Sequence, residues 1–232
     1  MQEALTLVQG LNHPFTLAFV QGQGAIIHHQ FRRDYRATQS SAEALITLSV
    51  EHNFPYWLAY GQMLRGWAIA MQGLPEEGVT QIRDGFDAWQ HTGAGLHRPY
   101  FLSLLAEAYG EQEQIEAGLR TLEAALAAVA KTEERWWEAE LHRLKGALLW
   151  SLSADHQTEA ETCFHRALDV ARRQRAKSLE LRAAMSLARL WQSQGKCQDA
   201  YDLLAPVYDC FTEGFDTADL QAAKALLEVD AP

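Results

Sequence analysis

The sequence lacks several features that place a protein in a particular class. Cysteine is scarce: the 232 residues contain three, Cys163, Cys197 and Cys210, without a Cys-x-x-Cys spacing. An odd number of scattered cysteines does not form a disulfide framework, so we interpret them as reduced thiols of a cytoplasmic protein. No apolar run approaches the ~20 residues that a membrane span requires. The N-terminus, MQEALTLVQG, lacks the basic and then apolar segments of a secretory signal peptide.

Positive charge is also scarce. The chain contains 20 Lys and Arg and 30 Asp and Glu, which gives a net charge of −10. Nonspecific binding to nucleic acid or to an anionic membrane surface requires the opposite sign. We therefore expect neither nucleic acid nor membrane as a partner. The apolar fraction of 48% and the charged fraction of 22% are ordinary for a globular protein and argue against disorder.

The sequence has no long segment in which polar and apolar residues alternate and no long run of β-branched residues. Both patterns are typical of strands. Ala, Leu, Glu and Gln are abundant instead, and these residues favour helix. Chain breaks recur between amphipathic stretches of roughly 15–20 residues, which is the pattern of antiparallel helix pairs. The breaks fall at QFRRD, QGLPE, GEQEQ, SLSADHQ and QSQGKCQ.

Small residues recur at intervals of 40 to 42 positions along these helices. In the second helix of each pair they are Ala37, Gly78, Gly118, Ala160 and Ala200, and in the first helices they are Gly66, Ala106, Gly146 and Ala188. Small side chains let neighbouring helices approach closely, and a requirement repeated at a fixed interval indicates a stacked array.

A proline followed by an aromatic residue marks three of the first helices, at Pro14, Pro55 and Pro99. Proline in the first turn of a helix removes an N–H group that has no partner within the helix. We therefore interpret this motif as the start of a structural unit and not as part of an active site.

The unit LRGWAIAMQGLPEEGVTQIRDGF (64–86) resembles a tetratricopeptide repeat (TPR), with small residues at Gly66 and Gly78 and a bulky one at Ile82. SLARLWQSQGKCQDAYDLLAPVY (186–208) is similar to the same family. The period of about 40 residues exceeds the standard 34 and implies longer helices. The resemblance implies an all-α fold, a right-handed α-solenoid of about five antiparallel helix pairs with a C-terminal capping helix.

We predict a single helical-repeat domain over residues 1–232. The predicted repeats are 13–53, 54–95, 96–132, 133–176 and 177–213, a capping helix follows at 214–229, and residues 1–11 look like the remnant of a preceding helix. Gly214 is expected to end one helix, and Asp216 or Thr217 to cap the next. The last repeat of a solenoid needs such a cover, because its outer flank is otherwise apolar.

Two C-terminal segments resemble the C-terminal TPR region of large bacterial signalling proteins. They are AKSLELRAAMSLARLW (176–191) and EGFDTADLQAAKALL (213–227). Those proteins carry a nucleotide-cyclase domain and a STAND-type ATPase ahead of their repeats. The resemblance implies a non-catalytic interaction or regulatory scaffold, the sensor or docking arm of a larger bacterial signalling protein. Its partner is expected to be a peptide, a protein or an upstream domain of the same polypeptide, and a homo-oligomer stays open. A small-molecule sensing arm of a signalling ATPase or transcription regulator is the alternative.

No motif indicates catalysis. QGKC (194–197) lacks the upstream glycine and the Ser or Thr of a P-loop, so it is interpreted as a turn between helices. His28 and His29 point about 100° apart on a helix and are poorly placed to share a metal ion. Cys163 and His165 lie two positions apart on one helix and face different ways. We therefore expect no enzyme, no metal and no cofactor.

Partner contacts are predicted on one face of the first helices, counted from the small residue of each helix. The predicted groove residues are Tyr60, Met63, Trp67, Tyr100, Ser103, Glu107, Glu140, Arg143, Arg182, Met185 and Arg189. The N-terminal half of this groove is aromatic and apolar, and the C-terminal half is charged. We predict a partner segment with an apolar anchor near Trp67 and a carboxylate near Arg182 and Arg189. The alternative is that these side chains only line a solvated groove.

Overall fold

The structure, a computed structural model, describes residues 2–229, and these residues form helices joined by turns, with no strand among them. The α-helices are α1 (Gln2–Gly10), α2 (Pro14–Phe19), α3 (Ile27–Phe31), α4 (Tyr35–Glu51), α5 (Pro55–Ala70), α6 (Pro75–His91), α7 (Arg98–Glu111), α8 (Ile115–Thr132), α9 (Glu138–Leu152), α10 (Gln157–Gln174), α11 (Lys177–Ser193), α12 (Cys197–Tyr208) and α13 (Ala218–Val229). A π-helical segment, Val20–Ile26, joins α2 to α3, and a 3-10 turn, Ala154–His156, precedes α10. The predicted all-α class is confirmed.

The helices form two compact units. In the N-terminal unit, which ends at Gln114, α5 packs against α4 and α6, and α7 packs against α5 and α6. In the C-terminal unit, which begins at Ile115, α9 packs against α8, α10 and α11, while α12 packs against α11. α13 covers α11 and α12 in that unit.

The predicted boundaries can be compared with the helix limits. α13 begins at Ala218, inside the predicted capping range 214–229. α1 spans most of the predicted remnant 1–11, of which residue 1 lies outside the described residues. The division of one domain into five repeats stays a prediction.

Most turns contain a residue in the left-handed backbone conformation. These residues are Asn12, Arg33, Asn53, Gly73, Gly93, His97, Glu113, Glu133, Arg175, Gly195 and Gly214. The backbone N–H of Asp34 donates to the carbonyl of His29 at 2.9 Å, and that of Lys196 donates to the carbonyl of Trp191 at 2.9 Å. Such bonds satisfy the last carbonyls of a helix and end it. The QGKC stretch is thus a turn, as predicted, with Gly195 at φ +76°.

Proline lies at the beginning of four described helices, as the sequence predicts for three of them. Pro14 opens α2, Pro55 opens α5, and Pro99 lies in the first turn of α7. Pro75 opens α6 in the same way.

The recurrent glycines lie where helices approach each other closely. A Cβ atom on Gly78 of α6 would lie 2.6 Å from the carbonyl oxygen of Gly66 on α5. A Cβ atom on Gly146 of α9 would lie 2.6 Å from a ring carbon of Phe164 on α10. Both distances are far below a normal contact, so these helix pairs need glycine. This explains part of the predicted small-residue pattern.

Candidate partner-binding site

Most predicted groove residues of the N-terminal unit are buried. Tyr60, Met63, Trp67 and Tyr100 are 0% exposed, and Ser103 is 2% exposed. The physical reason is that α5 is surrounded by α4, α6 and α7, so that the predicted aromatic face packs into the core. The ring of Tyr60, for example, meets the ring of Phe101 on α7 at 5.2 Å. A partner cannot contact fully buried side chains, so the expected exposed aromatic face is corrected to a core face.

Trp67 and Glu107 form a cluster with two residues that were not predicted from the sequence. Trp67 Nε1 donates to Glu107 Oε2 at 2.7 Å, and Arg33 donates to Glu107 Oε1 at 2.6 Å. The Arg33 guanidinium also lies 5.9 Å from the Trp67 ring and 5.8 Å from the Tyr35 ring. We call Arg33, Tyr35, Trp67 and Glu107 the Glu107 cluster. It ties α5 and α7 to the turn before α4, so the indole of Trp67 has an internal partner.

The Glu107 cluster borders an open cleft. About 400 Å³ of space is lined by Arg33, Asp34, Tyr35, Arg36 and Gln72. Burial raises the pKa of the nearby Glu111 carboxyl and repulsion from Glu107 adds to this, whereas Arg33 acts in the opposite direction.

A second cleft of the same unit lies between α5 and α6. It is open to solvent, has a volume of about 480 Å³ and is lined by Gln62, Arg65, Glu76, Glu77, Thr80, Gln81 and Asp84. Arg65 crosses it and contacts Glu43 at 3.0 Å and Gln81 at 2.7 Å. Both clefts are open to solvent and are lined by polar and charged residue types.

An exposed aromatic patch, also missed from the sequence, lies at the start of the N-terminal unit. Phe15 and Phe19 of α2 are 52% and 53% exposed. Their rings meet the buried ring of Trp57 edge-on at 6.3 Å and 6.0 Å, and Phe15 also meets Phe54 at 5.5 Å. The spacing of four residues between Phe15 and Phe19, one helical turn, was the available signal.

In the C-terminal unit, Arg182 is an internal residue. It is 4% exposed, its Nε donates to Asp219 Oδ2 of α13 at 2.7 Å, and its Nη1 lies 3.7 Å from Glu140 Oε1 of α9. Arg143 donates twice to the same Glu140 carboxylate, at 2.9 Å and 2.7 Å. Because its charge is compensated inside the fold, Arg182 is not a contact residue for a partner, which corrects the sequence-based expectation.

Arg189 differs from Arg182, although both lie on α11. It is exposed, and it makes no hydrogen bond or ion pair with any other residue of the described range 2–229. Partial burial of its guanidinium lowers the pKa of Arg189, repulsion from Arg143 lowers it further, and Asp219 opposes both effects. Met185, between the two arginines on the helix, is buried. We call Glu140, Arg143, Arg182 and Asp219, which are joined by these contacts, the arginine network.

Burial affects both of the residue pairs that were considered for chemistry. The rings of His28 and His29 have centroids 5.5 Å apart, and burial, aided by His29 and Arg32, lowers the pKa of His28. Burial raises the pKa of the Cys163 thiol, which disfavours the reactive thiolate. Within the described part of the chain, no three His, Cys, Asp or Glu side chains are grouped so that they could hold a metal ion. The helices of that part include none long and apolar enough to cross a bilayer.

Comparisons with known proteins place the fold. The structure of Bacillus thuringiensis PlcR in complex with the peptide PapR7 and DNA aligns with a TM-score of 0.72 and 14% identity, over 91% of this chain and 73% of that one. A structure of the nearly identical TPR-like repeats of a kinesin light chain-like protein from Podosopora anserina aligns with a TM-score of 0.57 and 19% identity, over 84% of this chain and 94% of that one. The fold is TPR-like. The predicted class, an all-α solenoid, is confirmed.

No protein-family model matches the chain. A sequence relative exists in an uncharacterized protein of Rhizobium meliloti, which is 22% identical over 160 residues. The match covers 69% of this chain and 16% of that protein, so the chain spans a small part of its relative's length. The predicted link to nucleotide-cyclase and ATPase proteins stays a prediction.

Proposed function

We propose that this chain is a non-catalytic interaction scaffold that binds a peptide or a segment of a partner protein. The fold likeness to PlcR carries the proposal, because it extends over 91% of this chain and the PlcR structure is a complex with a peptide. The same structure also contains DNA. A net charge of −10 does not favour DNA as the ligand of this chain.

The scaffold is further proposed to be a docking or sensor arm of a larger bacterial signalling protein in the cytoplasm. The Rhizobium meliloti relative supports this proposal, because the matched region is 16% of a much longer chain. In this version the partner is a sister domain, and any further domains that the gene encodes are the first baits for a pull-down. A second copy of the chain remains a candidate partner.

Two surfaces are candidates for contact, and each belongs to one unit. In the N-terminal unit, Phe15 and Phe19 expose apolar rings above Trp57. In the C-terminal unit, Arg189 exposes a guanidinium without a protein partner in the described residues. Aromatic and arginine side chains are the types most often found at binding hot spots.

A displayed library of random peptides tests the scaffold function. The immobilised protein is expected to enrich a recurring sequence, and the synthetic peptide should bind with 1:1 stoichiometry in calorimetry. A scrambled peptide of the same composition is the control. A library that yields no sequence binding better than its scrambled form would contradict the proposal.

A small-molecule sensing arm is the second candidate function, favoured by the two polar clefts of about 400 Å³ and 480 Å³. These volumes fall within the ~300–1,000 Å³ of ligand sites, although such sites are mostly apolar. A thermal-shift screen of metabolites separates the two functions. A ligand present at about 100 times its dissociation constant should add ~2.7 kcal/mol to the free energy of unfolding.

A further inference from the structure

We propose that the first two helices carry a docking face for a second copy of this chain. The face includes the exposed aromatic patch, and we call Leu7, Leu11, Phe15 and Phe19 the N-terminal face. The proposal goes beyond peptide binding, because it names the chain itself as a partner. All the residues that carry it belong to the N-terminal unit.

The N-terminal face leaves large apolar side chains in contact with water. Leu7 and Leu11 are 67% and 66% exposed, and Phe15 and Phe19 are 52% and 53% exposed. Each pair is separated by about one helical turn, and α1, which carries Leu7, packs against α2, which carries both phenylalanines. The phenylalanine rings are held in place, because both contact the buried ring of Trp57.

The same part of the sequence carries no formal charge. From Ala4 to Phe31 it contains no Asp, Glu, Lys or Arg, although these residues make up 22% of the chain. The Nδ1 atom of His13 accepts a hydrogen bond from the backbone N–H of Thr16 at 3.2 Å, which requires a neutral ring. Charged residues are depleted and aromatic residues are enriched in the cores of protein–protein interfaces. The N-terminal face therefore has the composition of an interface.

The other large apolar side chains that the described residues expose lie close to charged residues in the sequence. Each of them has an Asp, Glu or Arg within three positions: Phe31, Val50, Leu74, Leu96, Trp136, Leu152 and Phe215. The charged residue nearest to the N-terminal face is Glu3, four positions from Leu7. Single apolar side chains on a charged surface are ordinary, whereas a group of them without charge indicates a contact surface.

A second copy is the occupant that the distribution of charge favours. An uncharged apolar face needs a partner face of the same kind, and among the described residues the N-terminal face is the surface with these properties. A twofold axis places such a face against itself. Two chains of net charge −10 repel each other, but a contact through their N-terminal faces brings no like charges together.

The contact is expected to be weak. A fully enclosed phenylalanine buries about 150–250 Å², so two half-exposed rings together contribute about that area. With the two leucines added, the area remains below the ~800 Å² that each partner contributes to a standard interface. Contacts of this size are typical of transient complexes, so we expect a dimer whose population rises with protein concentration.

Sedimentation velocity over a series of concentrations tests the proposal, at about pH 8 where histidine is neutral. The wild-type chain should change from monomer to dimer as its concentration rises. Leu11→Glu should weaken dimerisation about tenfold or more, because the dimer would then hold two like charges in an apolar contact. Leu96→Glu is the matched control, since Leu96 is 63% exposed in another turn of the same unit. This variant should dimerise like the wild type.

A mixing experiment tests whether the same face is used on both copies. Leu11→Arg alone should be as monomeric as Leu11→Glu, and an equimolar mixture of the two variants should recover the dimer, because opposite charges then meet. A mixture that stays monomeric would overturn the twofold contact. Equal dimerisation of wild type, Leu11→Glu and Leu96→Glu would overturn the assigned face.

The outcomes also separate this inference from the proposed function. A wild-type chain that stays monomeric at every concentration would assign the N-terminal face to a different partner and overturn the second copy as its occupant. If that monomer still binds a selected peptide, the scaffold function is retained. A chain that binds no peptide and dimerises through the N-terminal face would refute peptide recognition and support this inference.

Discussion

At the scale of single residues, the Glu107 cluster shows why Trp67 is a structural residue. The Glu107 carboxylate accepts from both Arg33 and Trp67, at 2.6 Å and 2.7 Å, and both donors are largely shielded from water. The sequence predicts on which face of a helix an aromatic side chain lies, because its position can be counted from a nearby small residue. The sequence cannot show that the face is covered, because the coverage depends on how many helices pack around α5.

Glu107→Gln is predicted to destabilise the protein. The amide cannot replace the charged acceptor of Arg33, and a poorly paired arginine that is largely buried costs about 1–3 kcal/mol. Urea denaturation measures the effect, and Glu51→Gln, at an exposed glutamate of α4, is the control. Equal midpoints for the two variants would show that the Glu107 cluster does not contribute to stability.

Glu113→Gly is predicted to stabilise the protein. Glu113 has φ +57° in the turn between α7 and α8, a conformation that costs an L-residue about 1–2 kcal/mol and costs glycine little. After the greater chain entropy of glycine is subtracted, we expect a gain of about 0.5–1 kcal/mol in the free energy of unfolding. Thermal melting checks this, with Glu116→Gly inside α8 as a control that should lower the melting temperature. A lower melting temperature for Glu113→Gly would contradict the assigned turn.

At the scale of helices, the small-residue pattern and the proline positions were predictable from the sequence. Both follow from local rules: glycine permits close approach at Gly66 and Gly78, and proline suits a first turn as at Pro55. The π-helical segment Val20–Ile26 was not predicted, because it depends on packing that no spacing of residues reveals. The same holds for the pairing of Arg182 with Asp219, whose residues lie on different helices.

Gly78→Ala tests the close contact of α5 and α6. The added Cβ atom would lie 2.6 Å from both the Gly66 carbonyl oxygen and the Ala70 Cβ atom, so the helices must separate. Overpacking of this kind costs about 1–3 kcal/mol. Gly95→Ala is the control, since a Cβ atom there meets no atom within 4 Å. The prediction fails if both alanine variants unfold at the same urea concentration.

α13 is predicted to stabilise the C-terminal unit. It buries Leu220 and Ala223 against α11 and α12, and its Asp219 binds the buried Arg182. A chain ending at residue 213 exposes that apolar flank and should melt earlier or aggregate. The milder variant Leu220→Ala should lower stability by about 2–5 kcal/mol while the chain stays folded. A truncated chain that is monodisperse and melts at the wild-type temperature would show that α13 is dispensable.

At the scale of the whole molecule, the TPR-like fold could be predicted from the sequence, and the surface that contacts a partner could not. Repetition every 40 to 42 residues identified the class of fold. Contact surfaces depend on which side chains remain exposed once the helices have packed. Among the predicted contact residues, Arg189 is exposed. The structure buries Tyr60, Trp67, Tyr100 and Arg182, which therefore cannot contact a partner.

The most direct test of the central claim is a calorimetric titration of this chain with its best library-selected peptide. An interaction scaffold predicts saturable binding to one site per chain and a negative heat-capacity change from buried apolar surface. The scrambled peptide should give no saturable heat. If the selected and scrambled peptides behave alike, the chain does not recognise a peptide sequence, and the proposed function is wrong.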